Sequence, residues 1–591
     1  MSSAAQRAAS SANTPERFPH PGTRLFWSVL GVTTLLSVIV AFFVHGGLHG
    51  LYADDYVYKS MGADLVRTGW NLNFNYRLLG NFFAELFAYG LPGSELAVRL
   101  ALVALHLLNV GLLGLLAYRL THSSFVAILS SAFFLIPVSA DEALLWYTGA
   151  IFYLAPLCLL LVGFHLALTR AAGRAQWLFA LGAFLAWVVM LQFIESGFFV
   201  ILLVPVLNRV RPAPARVERR VWLPLLVLTY ALLGGYILLV LRTSAVVALH
   251  GTTSLDPFFV ISQRVPQLLD SLLDRYSAWE PSGAFASAFQ LGLREWWSAP
   301  SSRICLGLLA LGLGSTATLF PRRTGDRPDP SNSGKLALVG LAWLALALAP
   351  VLFIVNLTIS PRVLLFPMAG LALALAGLCG WVVDRLGRWS EIGARAALLV
   401  AGAVILVNAL TLAGLVQVYR LRAELDAKQV AMLRAAVPTL PDSQVWFLPL
   451  ELNERSVSAY LGSSSVLDGY LYGLFEIPWA AEPALRMAYG QEQIGVIAKD
   501  AHRQVHLTQL SYWTKLGPSQ LIFGEGPSQQ QATLEQLFAF TFRQGHLVLL
   551  NPLTVSSSTT GNRMTLDLPL GARLTHSAAA SQPFELPLEN P

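Results

Sequence analysis

Stretches of apolar residues long enough to cross a bilayer alternate with short polar breaks through residue 416. The runs fall at 25–44, 96–118, 123–137, 148–168, 177–191, 194–207, 222–241, 304–320, 336–355, 363–383 and 396–416. A helix needs about 20 apolar residues to cross the hydrocarbon core, so the pattern predicts about eleven spans of roughly 15 to 25 residues each. The first run follows a polar, Arg-bearing stretch (1–24), exceeds a secretory h-region and lacks a small-x-small cleavage site, which predicts an uncleaved first span with the N-terminus cytoplasmic.

Two polar stretches are too long to be simple connections. Within the outer loop 45–95, Val57, Met61 and Leu65 recur every fourth residue, and Leu78, Leu79, Phe82, Phe83 and Leu86 form one apolar face. The spacing predicts two interfacial helices, over 56–67 and 76–89, roofing a cavity above the spans. The second long outer loop is 242–303. Beyond 416 the chain is less apolar: strand-like runs at 445–448, 521–523 and 546–550 interleave with helical patterns at 421–436 and 533–542. The expected fold is an all-α polytopic membrane domain over 25–416 with a small α/β extracytoplasmic domain over 417–576. The Ala-, Ser- and Pro-bearing tail 577–591 is expected to be disordered.

Composition agrees with the pattern. Of 591 residues, 55% are hydrophobic and 13% charged, with mean hydropathy +0.57, an apolar excess that a soluble core does not need. The net charge of +6 does not point to nucleic acid, because the basic residues fall in the breaks between runs. Arg119, Arg170, Arg174, Arg209, Arg211, Arg216, Arg219, Arg220, Arg322, Arg323, Lys335, Arg385, Arg388 and Arg395 occupy every second break, as the positive-inside rule requires of cytoplasmic loops. A multi-pass protein of the cell (inner) membrane, with its C-terminal part extracytoplasmic, follows. Cys158, Cys305 and Cys379 have neither disulfide nor zinc spacing.

The acids gather in the opposite breaks. Asp54 and Asp55 follow the first run; Asp55 either caps a helix starting at Tyr56 or joins Asp54 as a carboxylate pair able to take a proton from an attacking hydroxyl. Asp141 and Glu142 come at the next outer turn, after Pro137. Glu195 interrupts the apolar run 190–198, where an acid is costly unless it caps a tight hairpin or faces a polar cavity. Arg362 opens a span at its outer end against the positive-inside bias; it either snorkels or clamps a phosphate with its planar fork of donors. Arg77 is a second candidate of that kind. His45 with His49, and His502 with His506, have i,i+4 spacing but fit a Gly-rich helix end and a surface better than a metal site. Trp146 with Tyr147, and Trp296 with Trp297, fit the aromatic belt.

In their order and sidedness, the pair Asp54-Asp55, the pair Asp141-Glu142, the Glu195-Ser196-Gly197 turn and Arg362 ahead of the Pro367-containing span resemble the polyprenyl-phosphate-sugar-dependent glycosyltransferases of the GT-C superfamily. Protein O-mannosyltransferases and lipid A aminoarabinose transferases belong to it. The resemblance covers roughly residues 25 to 380 and departs at two positions: Ile194, where many relatives have Lys, and Val363, where many have Tyr. It implies a hexosyl- or pentosyltransferase that takes a sugar from a polyprenyl-phosphate donor in the membrane lipid and moves it, with inversion, to a hydroxyl of a lipid, glycan or protein. Asp54, next to Asp55, matches the family's base; Arg362, helped by Arg77, would hold the donor phosphate. Asp141, Glu142 and Glu195 would orient acceptor, sugar or a divalent cation (Mg or Mn), metal use varying within the superfamily. The rivals are a lipid-linked polysaccharide polymerase or ligase, and a transporter or flippase. The last predicts repeated halves and ionisable groups near the bilayer midplane, whereas here the acids and arginines gather at span ends and only His106 is expected to lie deep, which favours surface chemistry over passage.

Overall fold

The computed structural model describes residues 55–56, 58–59, 78–89, 95–242 (except 172 and 212–214), 257–266, 283–298, 330–352 and 361–497 (except 387–388, 451–455 and 472). It also describes 515–588, except 518–519, 524–529, 544–545, 558–562, 569, 571–572 and 574–580. The helices, in chain order, are α1 (Leu78–Tyr89), α2 (Glu95–Thr121), α3 (Ser124–Leu135), α4 (Glu142–Leu145), α5 (Tyr147–Ala167), α6 (Arg174–Leu191) and α7 (Val204–Val210). They continue as α8 (Arg219–Arg242), α9 (Ala284–Ser298), α10 (Pro330–Leu352), α11 (Leu365–Arg385) and α12 (Ser390–Ala436).

Six helical stretches among the described residues are long and apolar enough to cross a membrane: Ala97–Thr121, Tyr147–Ala167, Arg174–Leu191, Asn332–Leu352, Pro361–Arg385 and Glu391–Ala436. The expected spans at 25–44 and 304–320 lie outside the described residues. The run at 222–241 lies within α8. The run at 194–207, expected as one span, is broken into 3-10 turns at Glu195–Gly197 and Phe199–Leu203 followed by the short α7. Pro205 explains where α7 starts: lacking an amide hydrogen, it suits a first helical turn.

Small residues set the closest helix contacts. α10 and α11 run antiparallel, and a Cβ added at Gly340 would lie 2.3 Å from the Ala374 nitrogen, one at Gly370 2.6 Å from the Leu344 nitrogen. Such backbone approach gives dispersion contact where lipid leaves little hydrophobic drive. The same device joins α9 to α12, where a Cβ on Gly292 would meet the Leu410 carbonyl at 1.9 Å and one on Gly414 the Ala288 carbonyl at 1.8 Å. An aromatic core joins α5, α6 and α10, with Phe164 5.9 Å from Trp187 and 5.4 Å from Trp343, ring to ring. His106 is buried and bonds the Leu135 carbonyl through Nε2 at 2.9 Å, so it serves the open end of α3.

The ends of the bundle differ in charge. At one, Arg119 donates to the His165 carbonyl at 3.0 Å and Arg211 to the Leu168 carbonyl, so two basic breaks meet on the last turn of α5. Ser333 of α10 reaches Asp384 of α11 at the same end, since Gly380 beside it packs on Val126 in the first turn of α3. The acidic breaks occupy the other end. There α1 packs across the bundle: the Gly80 amide donates to the Gln192 carbonyl at 3.2 Å, Phe83 stacks on Phe193 with centroids 5.8 Å apart, and Tyr58 donates to Asn81 at 2.9 Å. Its buried face runs through Gly80 and Ala84, with Leu79 and Phe83 partly buried. Leu86, expected on that face, is 42% exposed.

α12 extends for 47 residues, so the helical pattern at 421–436 is the continuation of the span at 396–416 and not a separate element. After it come α13 (Ser456–Leu461), α14 (Pro478–Tyr489) and strands β1 (Val445–Pro449), β2 (Ile494–Val496), β3 (Lys515–Gly517), β4 (Gln520–Phe523), β5 (Gln530–Thr533), β6 (Leu537–Arg543), β7 (His546–Ser557), β8 (Arg563–Leu566) and β9 (Ser581–Leu588). A mixed sheet has the order β2-β1-β6-β7-β8, with β9 also pairing β7; β1 is parallel to both β2 and β6, and β3-β4-β5 form a second, antiparallel sheet. Leu433 and Val437, at the end of α12, join Phe447, Phe538, Phe540 and Leu485 in the core beneath the main sheet. Two expectations are corrected here. The stretch 533–542, read as helical, is mostly β6, a strand buried on both faces and so lacking the alternation that marks a half-exposed strand. The tail 577–591, read as disordered, contains β9, paired parallel with β7.

Gly414→Leu is expected to force α9 and α12 apart and cost about 1–3 kcal/mol, as overpacking does. Thermal unfolding in detergent reads this, with Gly111→Leu, where an added Cβ meets nothing within 4 Å, as the control that should not lose stability.

Candidate functional site at the acidic end

Three breaks in the chain converge at the start of α5. After α3 ends at Leu135, the chain makes a 3-10 turn at Val138–Ala140, the single helical turn α4 and one extended residue, Trp146, before α5 begins. The Asp141 carbonyl accepts from the Leu144 and Leu145 amides at 2.9 and 2.7 Å, closing α4. Gly149 lets α4 lie against α5, since a Cβ there would stand 2.8 Å from the Glu142 carbonyl.

Trp146, at the N-cap position, gives α5 no side-chain cap. Asp55 fills that role: its Oδ1 accepts from the Thr148 amide at 2.9 Å and from the Thr148 hydroxyl. An anionic acceptor at a helix start satisfies open amides and meets the positive end of the helix dipole. Asp55 thus caps α5, a role expected of it for a helix starting at Tyr56. Asp54 and Arg77 lie outside the described residues, as do His45, His49, His502 and His506.

Arg362 sits in the 3-10 turn Pro361–Leu364 that leads into α11. Its guanidinium lies 4.4 Å from the centre of the Trp146 ring, and Nη1 is 3.5 Å from Glu142 Oε2. The Arg362 side chain is 32% exposed and that of Glu142 19%. At that separation the ion pair contributes little; the indole face is the firmer support. A second arginine flanks the same corner. Arg99, buried, donates to the Leu145 carbonyl at 3.0 Å and lies 4.4 Å from the Tyr147 ring centre.

Asp141 is fully buried and accepts from the Tyr470 hydroxyl at 2.9 Å through Oδ1, while Oδ2 is buried without a hydrogen-bond partner. Burial, and next the neighbouring Glu142 carboxylate, push its pKa well above the ordinary carboxylate range; the Tyr470 hydrogen bond opposes this. Glu195 begins the 3-10 turn Glu195–Gly197, whose Gly197 packs against Met190 and Phe366, but the Glu195 side chain lies outside the described residues.

The structure therefore brings Asp55, Asp141, Glu142 and Arg362 to one corner. Arg99, Thr148 and Tyr470 are additions to the sequence reading, and Trp146 and Tyr147 support cations where a belt was expected. Arg99 had a signal, a charge in the first turns of an apolar span. Tyr470 had none. A magnesium or manganese ion would need carboxylate donors. The described acids are engaged otherwise, Asp55 on Thr148, Asp141 on Tyr470 and Glu142 beside Arg362, and among the described residues no three His, Cys, Asp or Glu side chains converge to hold a metal. Chemically, the corner offers a guanidinium spread on an indole for an anion, with carboxyl groups beside it.

No protein-family model matches the chain, and no curated protein matches it. Among solved structures, ArnT from Cupriavidus metallidurans bound to undecaprenyl phosphate is similar at 15% identity, over 79% of this chain and 89% of that one, with a TM-score of 0.33. ArnT in the apo state, also 15% identical, covers 74% and 84% with a TM-score of 0.31.

Two variants test the assignments. Asp55→Ala should destabilise the protein by about 1–3 kcal/mol, because it strands buried donors of Thr148, with Asp55→Asn milder; equal unfolding temperatures for both variants and wild type would refute the cap. The sign for Asp141 follows from its raised pKa. The acid favours folding at low pH, and that contribution is lost as the pH climbs from the unfolded carboxylate value towards the raised folded one. Asp141→Asn should flatten the fall of stability as the pH rises above the unfolded carboxylate value of about 4. A melting curve parallel to that of wild type over this range contradicts it.

Proposed function

We propose that the chain is a membrane glycosyltransferase that takes a sugar from a polyprenyl-phosphate donor and passes it to an acceptor hydroxyl at the acidic end of the bundle. The observation that supports this reading is the placing of the Arg362 guanidinium on Trp146, beside Glu142, in the corner that Asp55 caps and Asp141 anchors. Such a cation at the rim of an apolar bundle suits a phosphate whose lipid tail lies along the spans. The apolar helices are the reason to place the donor in the bilayer.

The transfer is a direct displacement. The acceptor hydroxyl loses its proton to Asp54 as its oxygen attacks the anomeric carbon, and the bond from that carbon to the phosphate oxygen breaks with its electron pair leaving on the phosphate. The configuration inverts. Asp54 takes the base role because Asp55, its neighbour in the chain, is committed to Thr148. Arg362, with Arg77 as a second cation, steadies the charge that grows on the departing phosphate. Glu142 and Glu195 orient sugar and acceptor, which is a hydroxyl of a lipid, glycan or protein on the outer face of the membrane. N-terminus inside and C-terminal strands outside follow from the basic breaks facing the cytoplasm.

An assay with purified membranes and polyprenyl-phosphate sugars tests this. Arg362→Ala should lower kcat about 100- to 1000-fold, as loss of a preorganised donor does, and Asp54→Asn should abolish turnover while leaving donor binding in place. Full transfer by both variants, with normal insertion, would refute the base and the clamp. Movement of labelled lipid between leaflets without any sugar transfer would favour a flippase instead.

A further inference from the structure

Residues 466–471 and 473–476 are fixed more firmly than a connecting loop requires. Asp468 accepts from the Val457 amide at 2.8 Å, from the Ser458 amide and from the Ser458 hydroxyl, holding the turn Val466–Gly469 on α13. On its other side, Asp426 of α12 accepts from the Leu474 amide at 3.1 Å while paired with buried Arg422, whose guanidinium lies so close to Gly473 that a Cβ there would stand 2.6 Å from Nη2. Tyr470 lies between these two anchors, 329 positions from the Asp141 to which its hydroxyl donates. The second carboxylate oxygen of Asp141 is buried without a partner. Burying an acid that a single side-chain donor serves is costly, and an apolar residue in that place would avoid the cost.

What the contact does hold is the corner. Asp141 is the residue whose carbonyl closes α4, its neighbour Glu142 stands beside Arg362, and Trp146, at the far end of α4, carries the Arg362 guanidinium. We propose that Tyr470 is a positioning residue for the phosphate site: by holding Asp141 it fixes the corner that presents Glu142 and Trp146 to Arg362, so that the site is complete while residues 466–471 and 473–476 are docked. The role rests on the reading of Arg362 as the phosphate clamp.

Two measurements on the full-length protein in detergent decide it. The first uses no ligand: the infrared carbonyl band of a protonated acid that Asp141→Asn removes should move to higher frequency in Tyr470→Phe, as a lost hydrogen bond requires. The second titrates polyprenyl phosphate, without sugar, by calorimetry. Tyr470→Phe should weaken binding about tenfold, and in the Asp141→Asn background the same change should have no further effect, because the two residues act in series. A band that stays in place, or affinity losses that simply add, would overturn the role. Wild-type protein that binds no polyprenyl phosphate while the band still moves overturns the clamp and the role with it. Binding by wild type that Tyr470→Phe leaves unchanged overturns the role alone.

Discussion

A helix that begins inside a protein needs acceptors for its first amides, and the start of α5 lacks one of its own. Asp55, 93 positions earlier, supplies it. That one contact joins the first acidic break to the corner at 137–148, and the remaining contacts of the site attach to the same few residues. Arg362 comes from the turn before α11, Arg99 from α2 and Tyr470 from beyond α12. The neighbouring residue Tyr56 packs, partly buried, against the core beneath the main sheet, where desolvation, and then the charges of Asp426 and Asp55, raise its pKa. Asp55 and Tyr56 thus link the bundle to the strands.

The corner separates two cations by position. Trp146 and Tyr147 are consecutive, yet the change from extended to helical backbone between them turns their rings to different arginines. Arg99 on Tyr147 is buried and donates to the backbone of α4, which makes it part of the frame. Arg362 on Trp146 is about one third exposed at the rim, where a ligand can reach it. The acids divide similarly. Asp55 is fixed by a helix start, whereas Asp141 is buried in a setting that favours its neutral form.

Much of this was legible in the sequence because membrane chemistry leaves coarse marks. Run length located the six helices long and apolar enough to span that the described residues contain, and the alternation of Arg-rich with acidic breaks separated the two ends of the bundle. Asp141, Glu142 and Arg362 stood out because charge is expensive near hydrocarbon. The misreadings have physical causes. Hydropathy cannot tell one span from two broken segments, so the proline-started α7 was hidden in the run at 194–207. Both faces of β6 are buried, which erases the period of two, and the end of α12 looked separate because its apolar density falls where the sheet begins to cover it. Thr148 and Tyr470 were invisible for another reason: a hydroxyl that serves a distant partner carries no local pattern.

α12 contains no proline, and at 1.5 Å per residue its 47 residues make a rod of about 70 Å, more than twice the thickness of a hydrocarbon core. Its far end is seated in the core under the main sheet. A long helix accommodates a thinner or thicker bilayer by tilting. Because Leu433 and Val437 sit in that core, any tilt of α12 is carried to the strands as a displacement.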